Sequence, residues 1–101
     1  MIKVSLKYPK QEGSTFDMAY YSNTHMPMVQ QKLGATLRGL SIDQGIEVAG
    51  TPLLYHAMGH LLFDSVEAFQ LAMSTHGPAL MADIPNYTNT RPAIQISEVK
   101  Q

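Results

Sequence analysis

The chain reads as an α+β fold of the order strand, helix, strand, strand, helix, strand. This is the split βαβ arrangement called ferredoxin-like, with four antiparallel strands and both helices on one sheet face. Three observations predict it. Four stretches alternate apolar and polar residues or are apolar throughout, two capped helical stretches separate them, and the two halves echo each other. The echo is Thr24-His25-Met26-Pro27 against Thr75-His76-Gly77-Pro78, 51 residues apart. With 101 residues the chain holds one core and one domain, residues 1–101.

Ile2, Val4, Leu6 and Tyr8 alternate with Lys3, Ser5 and Lys7, the pattern of a half-buried strand. A helix follows from Ser14, with Asp17 three residues on completing a capping-box type of start. Pro27 lacks a backbone N–H, so a continuous α-helix would leave the carbonyl of Asn23 unpaired; the helix kinks or restarts close to His25. Gly34 ends it. From Leu37 to Val48 period two returns, with Leu40, Ile42, Ile46 and Val48 on one side, and Ala49 to Pro52 forms a hairpin connection. Leu53 to Phe63 is apolar at nearly every position, as in a central strand. Its faces are Tyr55, Ala57, Gly59, Leu61, Phe63 and Leu54, His56, Met58, His60, Leu62. Asp64 and Glu67 start a second helix through Met73; Thr75 to Asn89, with Gly77, Pro78 and Pro85, reads as loop or short turns. Ala93 to Val99 closes as a strand.

In this topology one sheet face stays uncovered. Carrying Leu54, Met58 and Leu62 with His56 and His60, it predicts a homodimer joined sheet to sheet.

Seven Lys and Arg against eight Asp and Glu, without a basic stripe, argue against nucleic acid. The absence of cysteine excludes disulfides and thiolate metal sites. The start MIKVSLKYPK is too polar for a signal peptide, and the apolar region Pro52–Phe63 is too short to span a bilayer. A cytoplasmic globular protein is the expectation. His56 and His60, sharing a strand face, stand about 13 Å apart at roughly 3.3 Å per residue, so no metal site is expected. Phosphate-loop, dinucleotide and nucleophile-elbow motifs are absent, and no cofactor is expected.

What remains is histidine with tyrosine in apolar surroundings. Histidine, with an ordinary pKa near 6.5, exchanges protons at neutral pH, and a phenol can donate to a developing oxyanion. Asp17, Tyr21 and His25 follow i, i+4, i+8 on one helical strip, with Tyr20 on the neighbouring one. Tyr8, Tyr20, Tyr21, His76 and the start of the third strand are expected to gather at one sheet edge, with His25 about 12 Å further along the helix. The expected catalytic residues are His25, Tyr21 and His76. Tyr8, Tyr20 and Tyr55, with the flexible thioethers of Met28 and Met73, are expected to bind a small apolar or aromatic substrate. Each has a plainer reading: core histidines, packing aromatics and methionine filler.

FDMAYYSNTHMPMVQQKLG (residues 16–34) resembles the EthD family, in which a Phe-Asp start, an aromatic four residues before a histidine, and a His-x-Pro continuation recur. YHAMGHLLFDSVEAFQLAM and DIPNYTNTRPAIQISEV are similar as well, so the likeness spans nearly the whole chain. The resemblance implies a dimeric α+β barrel, two subunits packed sheet to sheet with helices outside. It also implies a link to ethyl tert-butyl ether degradation clusters, where the partner is a cytochrome-type monooxygenase. Related barrels include cofactor-free monooxygenases, polyketide cyclases and muconolactone isomerases. Some such cyclases use a histidine just after the second helix, the position of His76; His25, with Tyr21 before it and Pro27 after it, carries over residue by residue. Three readings stand as expectations: a cofactor-independent enzyme moving a proton on a small carbonyl or phenolic compound, a non-catalytic binding protein serving an oxygenase, or a purely structural dimer module with His25 buried in the core.

Overall fold

In the computed structural model, which describes residues 1–101, the four strands are β1 (Ile2–Pro9), β2 (Gly39–Gln44), β3 (Tyr55–Phe63) and β4 (Ala93–Glu98). They form one sheet in the order β2-β3-β1-β4, each neighbour antiparallel. This is the expected α+β topology. Alternation along β1 turns Val4 and Tyr8 into the core, matched across β3 by Ala57, Leu61 and Phe63.

The first helix is built in three pieces: α1 (Met18–Tyr20), a π-helical turn (Tyr21–His25) and α2 (Met26–Leu33). Its cap is Asp17, whose carboxylate accepts the Tyr20 N–H at 3.0 Å. The expected start at Ser14 is therefore corrected: Ser14 folds back on Gln11, donating to the Gln11 carbonyl at 2.7 Å. The irregularity beside His25 takes the form of the π turn, with the Met26 N–H bonded to the Tyr21 carbonyl five residues back. That shift places Pro27 in the first turn of a fresh α segment, where its missing N–H costs nothing. Gly34, with φ +54°, stops the helix.

The second long helix, α3 (Val66–Asp83), runs well past the expected end at Met73. Ser65 caps it by accepting the Ala68 N–H at 3.1 Å, one residue later than the expected Asp64. Gly77 and Pro78 lie inside it rather than in a loop. Burial of Ala72, Gly77 and Leu80 on one face outweighs the local cost of the proline. A 3-10 turn, Ile84–Asn86, then leads to Tyr87.

Two strand expectations also change. β2 ends at Gln44, and Ile46 and Val48 are exposed in the loop beyond it, closed by a bridge between Val48 and Thr51. In β3 the register with β1 slips, so Tyr8 faces Ala57 while Pro9 faces Tyr55. His56 is the extra residue of this bulge. It does not share the open face with His60. Its ring stacks on Phe16 at 5.8 Å and its Nε2 meets Ser14 Oγ at 2.8 Å. The open face is accordingly more polar than expected, with Lys3, Ser5 and Lys7 from β1 beside Met58, His60 and Leu62 from β3. No helix is long and apolar enough to cross a membrane.

Candidate functional site

Where the first helix crosses the sheet, five aromatic rings converge. Tyr8 from β1 lies edge-on to Tyr21 at 5.4 Å and to Tyr87 at 5.7 Å. Phe16 closes the cluster at 5.1 Å from both Tyr8 and Tyr21. Within the π turn Tyr21 and His25 stack at 5.7 Å with their planes 15° apart. Tyr87 leans on His25 at 4.6 Å between centroids.

A polar line threads this cluster. His25 Nδ1 lies 2.8 Å from Asp83 Oδ2. Asp83 is the last residue of α3, where the helix dipole disfavours a carboxylate. Three donors compensate: His25, the Tyr20 hydroxyl at 2.8 Å and Asn86 Nδ2 at 2.9 Å. Burial would raise this carboxyl, but the bonds from His25, Asn86 and Tyr20 outweigh it and hold it below the usual carboxylate range. An ionised Asp83 fixes the proton of neutral His25 on Nδ1 and leaves Nε2 as an acceptor. The Tyr87 hydroxyl approaches Nε2 at 3.5 Å, a long bond, and the Tyr8 and Tyr87 hydroxyls meet at 2.7 Å. The order Tyr8, Tyr87, His25, Asp83 is thus a continuous run of hydrogen bonds from sheet to helix end. Burial pushes the Tyr8, Tyr21 and Tyr87 phenols above their ordinary value, so all three are neutral donors at physiological pH.

Beside this line is an apolar cavity of about 80 Å³ between sheet and helices. Tyr8, Tyr21, His25, Met26, Met73 and Leu80 are among the residues lining it. The Tyr21 hydroxyl, seated at Gly59 beside the Met26 methyl, is buried without a hydrogen-bond partner. A broader polar cleft of about 340 Å³ opens on the surface between Thr15–Asp17 and Pro85–Asn89.

The structure brings together His25, Tyr21, Tyr8, Tyr20 and Met73. His25 is not set apart from the tyrosines as expected, because Tyr87 bridges it to Tyr8. Three expected residues fall elsewhere. His76 lies in a separate depression with Leu33, Thr36 and Thr75, since α3 continues past it and carries the helix end on to Asp83. The β3 bulge leaves the Tyr55 ring under Lys7 Nζ, 5.4 Å away, outside the cavity. Met28 packs on the core without lining the cavity, and Met26 takes that place. Sequence reasoning missed Asp83 and Tyr87, both in the stretch read as loop. One signal was present: Asp83 is the sole acidic residue between Glu67 and Glu98.

A second His-centred line crosses the open face, where Ser5 Oγ meets His60 Nδ1 at 2.8 Å and Asp43 Oδ2 meets Nε2 at 3.0 Å. β1 is paired on both edges, so its N–H groups are committed to the sheet and offer Ser5 no oxyanion hole. No three His, Asp or Glu side chains come together as a metal-ligand set.

Fold and site together define a small α+β protein with a carboxylate-oriented imidazole, ringed by phenols, at the wall of an apolar cavity. The chain belongs to the EthD family: the EthD domain model matches residues 12–91. An EthD-like protein from Ralstonia eutropha JMP134 is 41% identical, with a TM-score of 0.90 over 99% of this chain and 94% of that one. An ethyl tert-butyl ether degradation (EthD) family protein from Bacillus halodurans C-125 shares the fold at 23% identity, with a TM-score of 0.77 over 98% of each chain. HapK from Hahella chejuensis shares it at 16% identity and a TM-score of 0.61, over 98% of this chain and 92% of that one. No protein of curated function matches the sequence.

Proposed function

We propose that this protein catalyses cofactor-independent proton transfer on a small carbonyl or phenolic compound bound in the cavity, with His25 as the base. The observation that carries the reading is the 2.8 Å contact of Asp83 with His25 Nδ1. It orients the ring, stabilises the imidazolium that forms, and leaves Nε2 held only by the long Tyr87 bond. In the reaction Nε2 takes a proton from the carbon next to the carbonyl; the C–H electron pair forms the C=C bond and the carbonyl π pair moves onto the oxygen, where a tyrosine hydroxyl donates to the enolate. Return of the proton to the same or another carbon gives exchange or isomerisation.

The test needs no knowledge of the natural substrate. Deuterium incorporation into cyclopentanone in D₂O is followed by NMR with wild type and His25→Ala. Wild type is expected to accelerate exchange at least tenfold over the variant; equal rates would refute the assignment.

A second reading, non-catalytic binding of an apolar metabolite, is favoured by the small volume and apolar lining of the cavity. In that case the ketone binds but exchanges at the solvent rate. We also propose that the open sheet face pairs with the same face of a second copy. Lys3 and Lys7 on that face offer positive partners for Asp43, and Met58 and Leu62 supply apolar contact. Sedimentation of the wild-type protein as a monomer at micromolar concentration would exclude it.

A further inference from the structure

Among the phenols around His25, all but one are already committed. Tyr20 donates to Asp83, and the Tyr8 and Tyr87 hydroxyls bond to each other, with Tyr87 reaching His25. Tyr21 is fully buried, lines the cavity, and its hydroxyl has no partner. A buried hydroxyl left unpaired is costly, and three features keep it there. The π turn sets its ring against His25. Phe16 and Tyr8 hold it edge-on. Gly59 makes room at its tip, since a Cβ on residue 59 would collide with the Tyr21 hydroxyl and with Met26 Cε.

We infer that the Tyr21 hydroxyl is the anchor for a ligand oxygen, and that the ligand is a compact apolar molecule bearing a single hydrogen-bond acceptor oxygen. The inference shares with the proposed function only the premise that the cavity holds a ligand. It assigns the oxygen-binding role to Tyr21 in preference to Tyr8, Tyr20 or Tyr87, which would each have to break a bond to serve. The remaining walls are apolar and offer nothing to a second polar group except His25, so polyhydroxylated or ionised compounds do not fit. Size is limited too. A cavity of 150 Å³ in another protein is known to hold benzene; on that scale one of about 80 Å³ holds roughly three heavy atoms, and it takes a ring of about six only as its flexible methionines yield. Gly59 belongs to the same specificity device, because any larger residue would displace the hydroxyl from its seat.

A matched pair of probes separates the oxygen from the hydrocarbon: cyclopentanone, with a carbonyl acceptor, and cyclopentane, without one. Dissociation constants are measured by NMR titration of the methionine methyl signals for wild type, Tyr21→Phe and His25→Gln. Wild type is expected to prefer cyclopentanone at least tenfold. Tyr21→Phe should lose that preference while holding cyclopentane within about twofold, and His25→Gln should retain it. A preference that survives Tyr21→Phe, equal binding of both probes by wild type, or binding of neither would each overturn the inference. The deuterium-exchange test stands apart: loss of exchange with the binding preference intact removes the catalytic proposal and leaves this one.

Discussion

Asp83 and His25, 58 positions apart, meet through Oδ2 and Nδ1 at 2.8 Å and tie the end of the second long helix to the π turn of the first. Both side chains are largely buried, and the same carboxylate also accepts from Tyr20 and Asn86. One residue therefore joins α1, the π turn and the 3-10 turn to the end of α3.

Removing it has a predictable cost. Asp83→Ala leaves three donors without their acceptor, and is expected to lower stability by about 2 kcal/mol at pH 7, read from the shift in urea midpoint. The carboxyl is held below its ordinary value, so the unfolded state binds more protons than the native state as pH falls. Its contribution is thus present above about pH 4 and is lost as pH drops through the folded value. The stability gap between wild type and Asp83→Asn should narrow between roughly pH 5 and pH 2. A gap constant across that range would mean Asp83 is not held ionised by these donors.

Tyr21 and Gly59 form a coupled pair. Tyr21→Phe in the ligand-free protein is expected to stabilise it by about 1 kcal/mol, since the hydroxyl it removes has no partner. Gly59→Ala is expected to destabilise by about 1–3 kcal/mol through overpacking against that hydroxyl and Met26. In the double variant the main obstruction is gone, so the two effects should not add. Thermal melts of the four proteins give the coupling energy, and strict additivity would show that the two groups do not touch.

Pro78 sits within α3, exposed, and denies the Ser74 carbonyl its helical partner. Pro78→Ala is expected to raise stability by about 1–2 kcal/mol, the helix gain of roughly 3 being partly offset by a looser unfolded chain. Chemical denaturation measures it; a loss of stability would mean that Pro78 supplies packing the helix needs.

The sheet was legible because β1 alternates residue by residue and β3 is apolar at nearly every position, the mark of a central strand. Half of the site was legible for a similar reason: Tyr21 and His25 are one helical turn apart, and Pro27 marks the irregular turn between α1 and α2. Local signals misled where packing overrode them. Gly77 and Pro78 read as a break, yet the face of Ala72, Gly77 and Leu80 keeps α3 helical to Asp83. The β3 bulge was invisible because one inserted residue does not alter composition, but it turned His56 to Phe16 and removed Tyr55 from the cavity. Asp83 and Tyr87 act only across long sequence separations, and no spacing rule reaches that far.

The π turn also gives this helix a residue count of its own. A hydrogen bond from Met26 to Tyr21 spans one position more than an α-helix uses, equivalent to a single residue inserted into a regular helix. A chain shortened by one residue between Tyr21 and Met26 could rebuild an unbroken α-helix with the Met26 N–H still on the Tyr21 carbonyl, so the two segments would keep their faces. What would be lost is the wide turn in which His25 stacks on Tyr21. Chain length across five residues, as much as the identity of any of them, therefore distinguishes relatives able to present this pairing of phenol and imidazole from those that share only the fold.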